Sequence, residues 1–180
     1  ILDVGCSTGS LLLKIAKRHK NKKKVKYLGL DIVKSMINFA KKNNYHKQIT
    51  FMNKDIINYK LKKTDFIICF YTLQFIHPKF RQTVINKLYK SLNWGGALFV
   101  VEKVRSYDAR TQDQMSTIYE EFKLLNGFSE KEVSGKKRSL KGILEPFSTN
   151  GNLQMFKRAG FKDISSVAKF VCFEGFLAIK

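Results

Sequence analysis

Apolar residues fall along this chain in two alternating rhythms. Short solid runs mark strands buried on both faces, and longer stretches with apolar residues every three or four positions mark amphipathic helices. Ile1–Val4 is the first run, and Leu11–His19 follows as a helix with apolar residues at 11, 12, 15 and 16. Val25–Leu30 predicts a second strand ending at Asp31, then a helix from Ser35 to about Lys42 with Ser35 as its N-cap. Ile49–Asn53 predicts a third strand, ending near Asp55. Asp65–Tyr71 has the solid apolar character of a central parallel strand. Phe80–Leu92 reads as a helix, "NWGG" as its break, and Ala97–Val101 as a fifth strand. Strands alternating with helices predict an α/β domain with a mostly parallel sheet. The end departs from this rhythm. "FKDISSVAKFVCF" and "GFLAIK" predict two strands joined by a tight turn around Glu174–Gly175. Between the two patterns, Ser106–Arg138 is polar and helical in character, so residues 106–140 are expected to form a cap or insertion.

At 180 residues and 44% apolar, residues 1–180 are read as one domain with an ordinary core. No apolar run is long enough to span a membrane. The start lacks the basic region and apolar core of a leader, and its first residue already lies inside a strand, so an N-terminal segment is expected to precede it. Cys6, Cys69 and Cys172 show no metal or redox spacing and read as reduced thiols of a cytoplasmic protein. The net charge is +20, and only 6 of the 34 basic residues are arginine. Clustered cations can bind nucleic acid by displacing counterions. Runs such as Lys22–Lys24 lack interleaved arginine and aromatic residues, so the first reading is lysine-rich composition on solvated faces.

The loop "DVGCSTG", Asp3 to Gly9, decides the ligand class. A dinucleotide fingerprint needs G-x-G-x-x-G, but here serines stand at 7 and 10. A phosphate loop needs Gly-Lys-Ser/Thr, but Gly9 is followed by Ser10 and Leu11. An adenosyl ligand suits the loop better. Gly5 and Gly9 are expected to let backbone approach it, and the following helix offers free N–H groups to a carboxylate. Asp31 stands where an acid can accept ribose hydroxyls. Asp55 and the Ile56 N–H stand where adenine can be held.

These features resemble class I methyltransferases that use S-adenosylmethionine. "TLQFIHPKFRQTVINKLYKSLNWGGAL" (72–98), "VVEK" (100–103) and "FKLLNGFSEKEVSGKKRSL" (122–140) narrow the resemblance to carboxy-S-adenosyl-L-methionine synthases, across essentially the whole chain. The resemblance implies a Rossmann-like class I methyltransferase fold: a mostly parallel seven-stranded sheet ending in an antiparallel hairpin. It implies a homodimer that converts S-adenosylmethionine and prephenate to carboxy-S-adenosylmethionine and phenylpyruvate. A partner enzyme uses that product to modify a wobble uridine in transfer RNA. By resemblance Gly5, Cys6 and Ser7 contact the cofactor, Asp31 and Ile32 its ribose side, and Asp55 and Ile56 its adenine side. Arg138 matches the arginine that binds the added carboxylate and is the candidate catalytic residue. A guanidinium forks onto a carboxylate with two parallel bonds, which lysine cannot do.

The chemistry implied is deprotonation of the sulfonium methyl and capture of carbon dioxide lost from prephenate. The prephenate hydroxide can serve as base, so no protein base is required. Two departures stand out. The family has asparagine then an aromatic before "TLQF", whereas this chain has Phe70–Tyr71. Phe70 can meet a sulfonium by cation–π contact or lie in the core. The family's N-terminal part, with a tyrosine near the ligand, precedes the matched region. His77, beside Pro78, reads as a helix-start residue more readily than a base. Glu102 and Lys103 can face prephenate or pair with neighbours, Trp94 reads as turn or core packing, and Tyr119, Glu120, Phe122 and Lys123 fall on the cap helix. Two other functions stay open: an ordinary methyltransferase acting on a small molecule or RNA, and a non-catalytic module binding S-adenosylmethionine or RNA.

Overall fold

The computed structural model describes residues 1–180. Its elements run β1 (Leu2–Val4), α1 (Ser10–Arg18), β2 (Tyr27–Asp31), α2 (Lys34–Asn43), β3 (Ile49–Asn53), β4 (Thr64–Phe70), α3 (Pro78–Ser91), β5 (Leu92–Lys103), α4 (Ala109–Leu125), α5 (Glu130–Ser139), α6 (Thr149–Ala159), β6 (Asp163–Phe170) and β7 (Phe173–Ile179). One seven-stranded sheet has the order β3-β2-β1-β4-β5-β7-β6. β1 through β5 pair in parallel, and β7 runs antiparallel to both β5 and β6. The expected mostly parallel sheet with a terminal hairpin is therefore present.

Strand alternation divides the core between the two faces of the sheet. Tyr27 and Phe51 bury against Leu12, Ala16, Ile37 and Ala40 of α1 and α2. Leu30, Ile67 and Leu98 bury on the other face, with Ile85 and Leu88 of α3 and Met155 and Phe156 of α6. The chain winds outward from β1 in both directions, so a crevice opens between the C-terminal ends of β1 and β4. α4 buries no residue and α5 only Val133, so this helical pair adds little to the core.

Several local expectations change. Val33, not Ser35, occupies the N-cap of α2, and its N–H is taken by the Asp31 side chain. "NWGG" lies within the span of β5, whose pairing with β4 shifts register there, and the Gly95 N–H bonds the Lys180 carbonyl. Trp94 is 89% exposed, which removes its core reading. The terminal hairpin turns at Val171–Cys172, because Glu174 and Gly175 pair within β7. Helix α6 falls in a stretch to which the sequence reading assigns no element, although it buries Met155 and Phe156. Its signals are at the ends: Ser148 caps it, and Gly160 closes it in the left-handed region.

Candidate functional site

The crevice at the sheet switch point is a cavity of about 790 Å³. The β1–α1 loop forms its floor. Gly5 and Cys6 N–H groups both bond the Leu30 carbonyl, at 2.8 and 3.0 Å, tying the loop to β2. Ser7 takes a positive φ and donates its N–H to Asp31 Oδ2 at 2.8 Å. Asp31 Oδ1 accepts the Val33 N–H at 2.8 Å. One carboxylate thus fixes two loops and keeps further lone pairs for a ligand. The Ser10, Leu11 and Leu12 N–H groups of α1 have no partner, and Ser10 and Leu11 line the cavity.

Gly9 acts differently from the expectation. It does not line the cavity, and a Cβ there would run into the Phe51 ring and Ala40. With its φ of +76°, this glycine serves close packing beneath the loop, not ligand approach. Gly5 does line the cavity, but a side chain there would meet Thr72.

Asp55 closes the turn after β3. Its Oδ1 accepts the Ile57 N–H at 2.8 Å, and the Ile56 N–H beside it has no partner. Across the cavity, Phe70 is 40% exposed, and its ring meets that of Tyr71 at 4.4 Å. Phe70 is therefore wall, not core. Tyr71 takes a left-handed φ of 56°. Phe75, Ile76 and Phe80 extend the apolar wall. His77 lines the cavity but serves as N-cap of α3, its Nδ1 accepting the Lys79 N–H.

A buried polar network supports this wall. Glu102 accepts the backbone N–H groups of Thr72, Leu73 and Gln74 at 2.9, 2.7 and 3.0 Å. Burial still raises its carboxyl to about 7, with those three bonds and the Arg81 charge pulling down. Arg81 donates to the carbonyls of Ile76, Glu145 and Gln74 and lies against the Phe147 ring. Glu102 faces the backbone of its own chain, which removes it as a prephenate contact. The residues of this network are spread over four segments, and no local signal in the sequence joins them.

Asp3 is the functional candidate that motif reading left without a role. It lines the cavity, is 2% exposed, and its Oδ2 has no hydrogen-bond partner. Burial, then the Asp31 charge, raises its carboxyl to about 7. Burial and the same acids push the Cys6 thiol up to about 12, so this cysteine is no nucleophile.

Gly5, Cys6, Ser7, Asp31, Ile32, Asp55, Ile56 and Phe70 all line this one cavity. Arg138 does not. It lies exposed on α5, away from the lining of its own chain. Its motif sits on a helix that packs little against the sheet, so sequence position alone could not place it.

A methyltransferase-domain family model matches residues 1–96. A carboxy-S-adenosyl-L-methionine synthase of Campylobacter lari is 37% identical over the whole chain, which covers 76% of that protein. The synthase of the same name from Staphylococcus epidermidis is 36% identical, with 100% of this chain and 78% of that protein covered. Among solved structures, human N-acetylserotonin methyltransferase in complex with S-adenosylmethionine superposes with a TM-score of 0.70 at 18% identity, covering 99% of this chain and 46% of that one. Magnesium protoporphyrin IX methyltransferase from Synechocystis, with bound S-adenosylhomocysteine, gives 0.68 at 17% identity, covering 99% and 73%.

Proposed function

Because the chain belongs to the carboxy-S-adenosyl-L-methionine synthase family, an S-adenosylmethionine-dependent branch of the methyltransferase superfamily, we propose that it converts S-adenosylmethionine and prephenate to carboxy-S-adenosylmethionine and phenylpyruvate. The observation that carries this reading is the matched set of unpaired groups around one cavity. The Ile56 N–H, the first-turn amides of α1 and Asp3 Oδ2 all lack partners. Ile32, Val33, Phe70, Tyr71 and Phe75 line the same cavity as exposed apolar surface.

These groups fit an adenosyl zwitterion. The free lone pairs of Asp31 would hold the ribose hydroxyls. Asp55 and the Ile56 N–H would hold adenine, and the α1 amides would hold the methionine carboxylate. Asp3 would balance the methionine ammonium. When bound, S-adenosylmethionine supplies a sulfonium whose methyl protons are acidic. The Phe70 and Tyr71 faces would attract that cation, in place of the family's asparagine. Phe75, Ile76 and Phe80 would keep water out while two substrates are positioned.

Arg138 is the proposed holder of the added carboxylate. Since its own chain keeps it off the cavity, that role requires a second copy, in line with a homodimer. The product would serve as carboxymethyl donor to a partner enzyme acting on transfer RNA wobble uridine. The three buried free thiols suit a reducing cytoplasm, where we place the protein.

The test is mass spectrometry of small molecules released from purified protein, before and after incubation with S-adenosylmethionine and prephenate. Prephenate-dependent appearance of a mass one carboxylate above S-adenosylmethionine is the expected result. Only S-adenosylmethionine or S-adenosylhomocysteine, with or without prephenate, would overturn the synthase reading.

A further inference from the structure

Outside the cavity lining, two lysines converge on one aromatic ring. Lys123 Nζ of α4 lies 4.1 Å from the Tyr119 ring centroid, and Lys103 Nζ, at the end of β5, lies 5.1 Å from the same centroid. Neither ammonium makes an ion pair, since the molecule's one salt bridge joins Lys137 to Glu120. Both lysines are half-buried. Burial first, then the like charge of Lys103, lowers the Lys123 ammonium from its usual range. Two cations drawn over one ring repel each other, and a bound anion removes that cost.

The pair is linked to the cavity through aromatic rings. Tyr119 meets Phe173 edge-on at 5.1 Å, and Phe173 meets Tyr71 at 5.1 Å. Tyr71 lines the cavity. We propose that Lys103 and Lys123, seated over Tyr119, form an anion site for the carboxylate that the co-substrate keeps.

This rests on the synthase reading above. Prephenate carries two carboxylates. The ring carboxylate leaves as carbon dioxide and the ring hydroxyl as hydroxide, while the pyruvyl carboxylate stays in phenylpyruvate. The departing group must lie at the sulfonium methyl, so the retained one needs cations elsewhere. Both carboxylates of prephenate branch from one ring carbon, so the second position must adjoin the first, and cavity-lining Tyr71 donates its N–H to Val101, two residues before Lys103 on β5. Paired ammonium groups over an aromatic floor suit a carboxylate next to a planar keto group.

The test is calorimetric titration of S-adenosylhomocysteine-loaded protein with prephenate and, separately, phenylpyruvate. That ligand has no sulfonium methyl, so binding is read without turnover. Lys103→Met and Lys123→Met are each expected to weaken both compounds at least tenfold, with S-adenosylhomocysteine affinity and melting temperature unchanged. Lys123→Arg is expected to keep most of the affinity, and Lys137→Met all of it. Wild-type affinity in both methionine variants would overturn the site. Loss of prephenate affinity with phenylpyruvate binding intact would show that the pair grips the departing carboxylate, which overturns the assignment made here. A wild type that binds S-adenosylhomocysteine but neither binds nor converts prephenate would overturn the synthase reading together with this site.

Discussion

Asp31 shows how much one side chain can carry. Its two oxygens accept amides from the glycine loop and from the turn before α2. Asp31→Asn turns one acceptor into a donor that faces a backbone N–H, leaving that amide unpaired at a cost of about 1–3 kcal/mol. S-adenosylmethionine affinity should drop at least about tenfold, read by calorimetry. Asp3 gives a pH signature. Its carboxyl is raised from 3.8 to about 7, and a cationic ligand favours the ionised form. Affinity for S-adenosylmethionine should therefore weaken as pH falls below about 7. The Asp3→Asn protein should lose that dependence while keeping its fold. Gly9→Ala belongs at this scale too. Its left-handed φ and the Phe51 ring beneath it predict destabilisation of about 1–3 kcal/mol in denaturant unfolding, through packing and not through lost ligand contact.

The turn after β4 depends on an element distant in sequence. Glu102 of β5 takes three N–H groups from residues 72–74, so the cavity wall stands on a carboxylate from the neighbouring strand. Glu102→Gln keeps the shape but sets an amide against amide donors, and should cost about 1–3 kcal/mol by denaturant titration. The raised carboxyls also set the pH profile of stability. Asp3 and Glu102 begin at 3.8 and 4.5 and are both raised to about 7 in the folded protein. Within that window the folded state keeps protons that the unfolded chain releases, so stability is full at the acid end and falls as pH rises toward about 7. In Glu102→Gln part of this slope should vanish. A slope unchanged by the substitution would remove Glu102 as its source.

At the scale of the molecule, the proposed role of Arg138 ties the chemistry to assembly, because Arg138 is exposed on α5 and outside the cavity lining. Under the proposed role, the cavity takes Arg138 from a second copy, since that residue is not in the lining of its own chain, and this predicts complementation between copies. Assayed with S-adenosylmethionine held below the Kd of the Asp31→Asn protein, Arg138→Ala and Asp31→Asn should each form little product alone. Mixed and reassorted in equal amounts, they should recover about a quarter of wild-type product formation, because half of the dimers then hold one intact site. No recovery on confirmed mixing would overturn the delivery of Arg138 from a second copy. The charge of +20 is a separate whole-molecule property. Lys137–Glu120 is the one ion pair formed, so most lysines remain free to be solvated.

Local periodicity and the order of strands and helices were enough to set the parallel sheet, its closing hairpin and the loop that lines the cavity. Those features arise from neighbours in sequence: solid apolar runs, glycines that permit positive φ, and acids at strand ends. The same signals located Asp31, Asp55 and Ile56. Only the folded chain decided the rest. Gly9 proved to be a packing residue because Phe51, distant in sequence, occupies the space beneath it. Glu102 proved to be buried support because β5 lies against the turn after β4. Lys103 and Lys123 meet over Tyr119 because α4 folds back to the end of β5. Each depends on contacts between residues far apart along the chain, and burial and like-charge proximity exist only once those residues are brought together.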